Sequence, residues 1–132
     1  MCGSGTIAVE ASFIAMGKAP LIHRKKGDYG FEWLKDFDRQ LWREVQENAR
    51  GGRLPEPPNG IYASDINAEY IASARQNALR ARVEKFISFN TASFFDIEPP
   101  ASTGILVANL PYGTRLDSDR TDWKPFFVDV GN

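Results

Sequence analysis

The sequence predicts an α/β chain with a mostly parallel sheet, on three observations. Short β-type runs at residues 61–64, 86–90 and 104–108 alternate with stretches of helical periodicity, an acidic residue closes the first run and another follows the second, and a glycine turn opens the first helix. In such chains ligands collect beyond the C-terminal ends of the strands. Gly3, Gly5, Asp65, Asp96 and residues 109–112 all fall at such ends.

Over residues 6–16, Ile7, Ala8, Ala11, Ile14 and Ala15 recur at helical spacing, and Gly17 with Pro20 supplies the stop. Residues 17–30 read as loop and carry the dense basic cluster His23, Arg24, Lys25, Lys26. Leu34, Phe37, Leu41 and Val45 then share one stripe with charges opposite, predicting a second helix over residues 31–49. Glycine and proline from residue 51 to 60 break the chain before the strand at 61–64, which runs into Asp65. Asn67 is an expected N-cap for a third helix to about Ala81, with Ile71, Ala74, Ala78 and Ala81 facing inward. The strand at 86–90 leads to Ser93, Phe94, Phe95 and Asp96, and the apolar run at 104–108 ends in Asn109. Trp33, Trp42 and Trp123 are expected to pack.

At 132 residues, with 42% hydrophobic and 12% aromatic content, the chain amounts to one globular domain at most. It has no apolar run near the roughly 18 residues that span a bilayer, and its start lacks a signal-peptide pattern, so no membrane association and a cytoplasmic location are expected. One cysteine and one histidine exclude an internal disulfide and argue against a Cys/His metal set. A net charge of -1 is not that of a module gripping phosphates through a broad basic face. The glycine turn has no strand ahead of it, and the chain stops soon after residue 112, as expected for a piece of a larger protein lacking its first strand and last elements.

Four features could carry chemistry. The turn Cys2-Gly3-Ser4-Gly5-Thr6 before a helix can let backbone amides approach an anionic ligand, although such turns are often structural. Asp65 can accept both hydroxyls of a ribose or cap the helix that follows, and it lies further from the glycine turn than the about 20 residues of dinucleotide folds because residues 17–60 intervene. Asp96 follows two phenylalanines, where it could accept from an adenine amine or be a loop acid before Pro99 and Pro100; its match in position to Asp65 favours binding. In Asn109-Leu110-Pro111-Tyr112, an amide oxygen and a backbone carbonyl can both accept from one planar NH2 group, Pro111 stiffens the turn, and Tyr112 offers a stacking ring.

Together, Met1-Cys2-Gly3-Ser4-Gly5-Thr6, Asp65, Asp96 and Asn109-Leu110-Pro111-Tyr112 resemble the successive motifs of the class I S-adenosylmethionine-dependent methyltransferases of amino groups, over essentially the whole chain. More narrowly, Ala19-Pro20, His23-Arg24, Gly30-Phe31, Trp33, Phe37-Asp38 and Trp42 look like the bacterial THUMP-associated enzymes that methylate the exocyclic amine of guanine in large-subunit ribosomal RNA, proteins often labelled adenine-specific DNA methylases by motif alone. The resemblance implies that residues 1–132 are part of a Rossmann-like catalytic domain, incomplete in its sheet, with a helical insertion at about residues 18–59. It implies S-adenosyl-L-methionine as cofactor, no metal, and ribosomal RNA as partner through an N-terminal THUMP domain outside this chain. Cys2, Gly3, Ser4, Gly5 and Thr6 would face the methionine portion, Asp65 with Ile66 the ribose, Asp96 the adenine, and Asn109 with Leu110 the target amine, beside Pro111 and Tyr112. The acid and proline that usually precede the glycine motif are absent, and Leu110 replaces the first proline of the commoner motif, a form shared with ribosomal RNA adenine dimethyltransferases. N6 of adenine is therefore the alternative target, and a non-catalytic nucleotide-binding fragment the alternative of another class.

Overall fold

Two parallel strands, joined by one helix and flanked by another, carry the core of the structure, a computed structural model that describes residues 1–20, 24–25, 27–110 and 124–131. In chain order the elements are α1 (Thr6–Ala15), α2 (Arg39–Arg50), β1 (Ile61–Asp65), α3 (Ala68–Arg80), β2 (Ile87–Thr91) and α4 (Lys124–Gly131), with short 3-10 turns at Gly30–Trp33, Glu84–Phe86 and Phe94–Asp96. β1 and β2 pair in parallel from Ile61 opposite Ile87 to Asp65 opposite Thr91. Side chains alternate across a strand, and here Ala63, Asp65 and Ile87 are buried while Tyr62 and Ser88 point to the open face. α1 and α3 pack on β1 and on each other, and α3 also packs on β2. Ala8, Phe13, Met16, Ala63, Ala78, Val83 and Ile87 form the resulting core.

The helix ends follow from local chemistry. α1 stops where Gly17, at φ 60°, lets Lys18 N–H reach Phe13 O at 2.8 Å and Gly17 N–H reach Ile14 O at 3.0 Å, the paired closing bonds of a Schellman cap. α3 begins at Asn67, whose side chain accepts from Glu69 N–H at 2.8 Å, and ends in the same cap, with Val83 N–H on Ala78 O at 2.9 Å and Arg82 N–H on Leu79 O at 3.0 Å. Ile71, Ala74 and Ala78 are buried as their spacing requires, and Ala81 is half-buried.

Three expectations are corrected. The helix expected over residues 31–49 is divided: a 3-10 turn covers Gly30–Trp33, and α2 starts only after Asp38, whose Oδ1 accepts from Gln40 N–H at 2.8 Å and Leu41 N–H at 3.0 Å. A carboxylate capping two orphan amides is a stronger local signal than continuing periodicity. Trp33, expected to pack, is 80% exposed. Residues 104–108 form no strand; a strand exists only through its ladder, and this run finds no partner among the described residues, leaving Ile105 92% exposed. α4 was not anticipated from the pattern. Expectations for Leu21, Ile22, His23, Lys26 and residues 111–123, Pro111, Tyr112 and Trp123 among them, lie outside the described residues.

Candidate functional site

The glycine turn lies against the C-terminal end of β1. Along a strand, successive carbonyls point to opposite edges; Asp65 O accepts from Ala92 N–H at 3.0 Å on the β2 side, and Ser64 O accepts from Cys2 N–H at 2.7 Å on the other. The segment entering the turn thus joins the free edge of β1. There the Asp65 carboxylate, 7% exposed, accepts from Gly3 N–H through Oδ2 at 2.9 Å and from Asn67 N–H through Oδ1 at 3.1 Å. One acid therefore ties together the turn, the strand end and the start of α3. From the other side Asn77 Nδ2 donates to Ser4 O at 3.0 Å. The spacing of the sequence carries no signal for Asn77, because nothing in it pairs a helix side chain with a loop carbonyl 73 positions away.

Gly3 and Gly5 both adopt left-handed backbone, at φ 53° and 81°. Their surroundings differ. A Cβ at Gly5 would meet Ala74 Cβ at 2.8 Å, so this glycine is required by the close approach of α3, whereas a Cβ at Gly3 would meet nothing within 4 Å. The backbone at Gly3 is thus open to a ligand. α1 behind it has no side-chain N-cap and no acid in its first turn, so its first amides keep free donor capacity and the positive end of the helix dipole is uncompensated. An anionic or carboxylate group suits such a place.

Burial, and next the Asp65 carboxylate, push the Cys2 thiol above its ordinary pKa. Cys2 is therefore a protonated, weakly reactive thiol beside the turn rather than a nucleophile. Asp96 sits in the 3-10 turn past β2, exposed, with Ser93 accepting from Phe95 N–H at 3.3 Å and Phe94 and Phe95 edge to face at 5.5 Å. Because β1 and β2 are parallel and in register, with Asp65 opposite Thr91, Ile66 and Asp96 both follow strands that end on the same side of the sheet. Asn109 is exposed and Leu110 half-buried; no hydrogen bond links either to the glycine turn or to the two acids among the described residues. Those residues hold no cluster of three or more His, Cys, Asp or Glu able to bind a metal ion, and no helix long and apolar enough to cross a membrane.

A glycine turn and a strand-end acid, brought together at the C-terminal end of parallel strands, are the arrangement of the Rossmann-like α/β class. Residues 1–127 match the family UPF0020, described as RMKL-like, methyltransferase domain, and the chain belongs to that family. It is 38% identical over 120 residues to the ribosomal RNA large subunit methyltransferase K/L of Shewanella oneidensis, which covers 89% of this chain and 17% of that protein. Its similarity to the protein of the same name from Shewanella baltica is 38% over 118 residues, 87% of this chain and 16% of the other. The chain spans less than a fifth of the length of these curated relatives and about a third of the solved chains it resembles. Among those is the crystal structure of SMU.472, named as a methyltransferase and complexed with SAH, with a TM-score of 0.77 and 29% identity, covering 98% of this chain and 32% of that one. Another is a predicted N6-adenine-specific DNA methylase from Listeria monocytogenes, with a TM-score of 0.70 and 34% identity, covering 88% of this chain and 30% of that one.

Proposed function

We propose that residues 1–132 are part of the catalytic domain of an S-adenosyl-L-methionine-dependent methyltransferase that modifies the exocyclic amine of a guanine in large-subunit ribosomal RNA, with residues 18–59 as a helical insertion. The observation that carries the reading is the Gly3–Asp65 hydrogen bond, which joins the glycine turn to the acid at a strand end beside an uncapped helix N-terminus. Family membership and the names of the curated relatives support ribosomal RNA as the substrate class, and the SAH in SMU.472 supports the cofactor.

The open backbone at Gly3 fits the cofactor. Gly3, Ser4, Gly5 and Thr6, with Cys2 behind them, would receive the methionine portion on backbone amides, Asp65 and Ile66 the ribose, and Asp96 the adenine. Each Asp65 oxygen accepts one hydrogen bond among the described residues and keeps a lone pair for a hydroxyl. When bound, S-adenosyl-L-methionine supplies an electrophilic methyl group. The chain's own part is then to orient the acceptor: the Asn109 side-chain oxygen and the Leu110 carbonyl accept from the base amine, Pro111 fixes their geometry, and Tyr112 stacks on the base. Alignment of this kind is worth up to roughly 7–11 kcal/mol, and the two acceptors favour positive charge developing on the nitrogen. A paired base cannot reach such a site, so the target is looped out or flipped.

Asn109→Ala lowers turnover about 10²–10³-fold, the usual effect of removing one preorganised polar group, while calorimetric titration with S-adenosylhomocysteine stays unchanged. Near-normal turnover on the RNA would exclude this role for Asn109. The name of the Listeria neighbour keeps N6 of adenine as the second reading. Mass spectrometry of ribosomal RNA nucleosides from cells with and without the protein separates methylguanosine from methyladenosine.

A further inference from the structure

Between α1 and β1 the chain builds an aromatic cluster of its own. Trp42 meets Phe31 edge to face at 4.8 Å and Tyr29 at 5.2 Å, and Phe31 lies 5.9 Å from Phe37. Trp33 forms no ring pair among the described residues and is 80% exposed. Beside it opens a half-open cavity of about 380 Å³, lined by Trp33, Phe37, Trp42, Arg39, Arg43 and Glu32 among others. Glu32 engages the Gly27 N–H. Arg39 and Arg43, neighbours one turn apart on α2, make no ion pair among the described residues, where the one pair is Arg75 with Glu84.

We propose that this cavity takes one unpaired nucleotide of the RNA substrate, its base stacked on Trp33 and its phosphate held by Arg39 and Arg43. An exposed indole beside an aromatic wall supplies a π-face that any base can use, and two guanidinium groups with no ion pair among the described residues supply the charge a phosphate needs. A purely apolar occupant would leave both arginines without a partner. The inference rests on the reading above that the chain acts on RNA, and it moves an RNA contact into the insertion, away from the glycine turn.

The test is a fluorescence-anisotropy titration of a labelled single-stranded RNA of mixed sequence against the full chain and its variants, at two salt concentrations. Trp33→Ala weakens binding roughly 5- to 150-fold, the range spanned by losing one base stack, whereas Trp33→Phe stays close to wild type. Arg39→Glu with Arg43→Glu weakens binding further and flattens the salt dependence by about the contribution of one phosphate. Unchanged RNA affinity in Trp33→Ala overturns the proposal, as does a Trp33→Ala unfolding midpoint several degrees lower with no change in RNA affinity, which would mark the ring as a protein-packing surface. Titration with S-adenosylhomocysteine runs in parallel. Its failure to bind wild-type protein would sink the methyltransferase reading and leave the RNA result to decide the cavity.

Discussion

Asp65 is the residue whose replacement has the widest predicted effect. Its two oxygens serve two backbone donors, Gly3 N–H and Asn67 N–H, and an asparagine offers only one oxygen. Asp65→Asn therefore strands one buried donor and costs about 1–3 kcal/mol, read in urea unfolding. The same change acts on Cys2. Burial and then Asp65 raise the thiol pKa, so removing the carboxylate lowers it, and iodoacetamide modifies Cys2 of Asp65→Asn faster than that of wild type at pH 8. The sign for stability follows from linkage: a folded pKa above the unfolded one gives a contribution present below the ordinary thiol pKa and lost as pH rises through the raised value. Wild-type stability should fall on the alkaline side, with a smaller fall in Asp65→Asn. Gly5→Ala combines a left-handed backbone cost of roughly 1–2 kcal/mol with the contact at Ala74 Cβ and should be the more destabilising of the two turn substitutions; Gly3→Ala meets only the backbone cost.

Among the elements, α3 shows what is gained and lost in its caps. Arg82 is the one non-glycine residue with positive φ among the described residues, at 59°, and it occupies the place where a Schellman cap favours glycine. Arg82→Gly should stabilise the protein by up to about 1 kcal/mol, measured as a rise in the denaturation midpoint. Asp38→Ala removes the cap of α2 and costs about 1 kcal/mol. These elements differ in how far the sequence disclosed them. α1, β1, α3 and β2 stand within about one residue of their expected ranges because apolar spacing and an end signal agree in the helices, Gly17 for α1 and Asn67 for α3, and because the short β-type runs at 61–64 and 86–90 pair with each other. α2 does not, because the stripe of Leu34, Phe37, Leu41 and Val45 reported amphipathicity without reporting a partner. Leu41 and Val45 are exposed, and the Asp38 cap was the sign that the helix began late. At the site, the order of motifs was legible and the contacts were not, since no periodicity joins Gly3 to Asp65 or Ser4 to Asn77.

Taken as a whole, the molecule is anchored by one βαβ unit, β1–α3–β2, whose Ala74, Ala78 and Val83 are fully buried, while α2 contributes no fully buried residue. Native-state amide exchange should follow that division, slowest in α3 and β1 and fastest in α2, because opening energies track buried contacts. Equal protection of α2 and α3 would contradict it. Since Asp65 belongs to this unit and holds Gly3 before any ligand arrives, the freedom of two left-handed glycines is lost during folding and not at capture. Ligand association at the turn should therefore carry a small entropic penalty in the wild type, and a larger one, at similar enthalpy, once the carboxylate is gone.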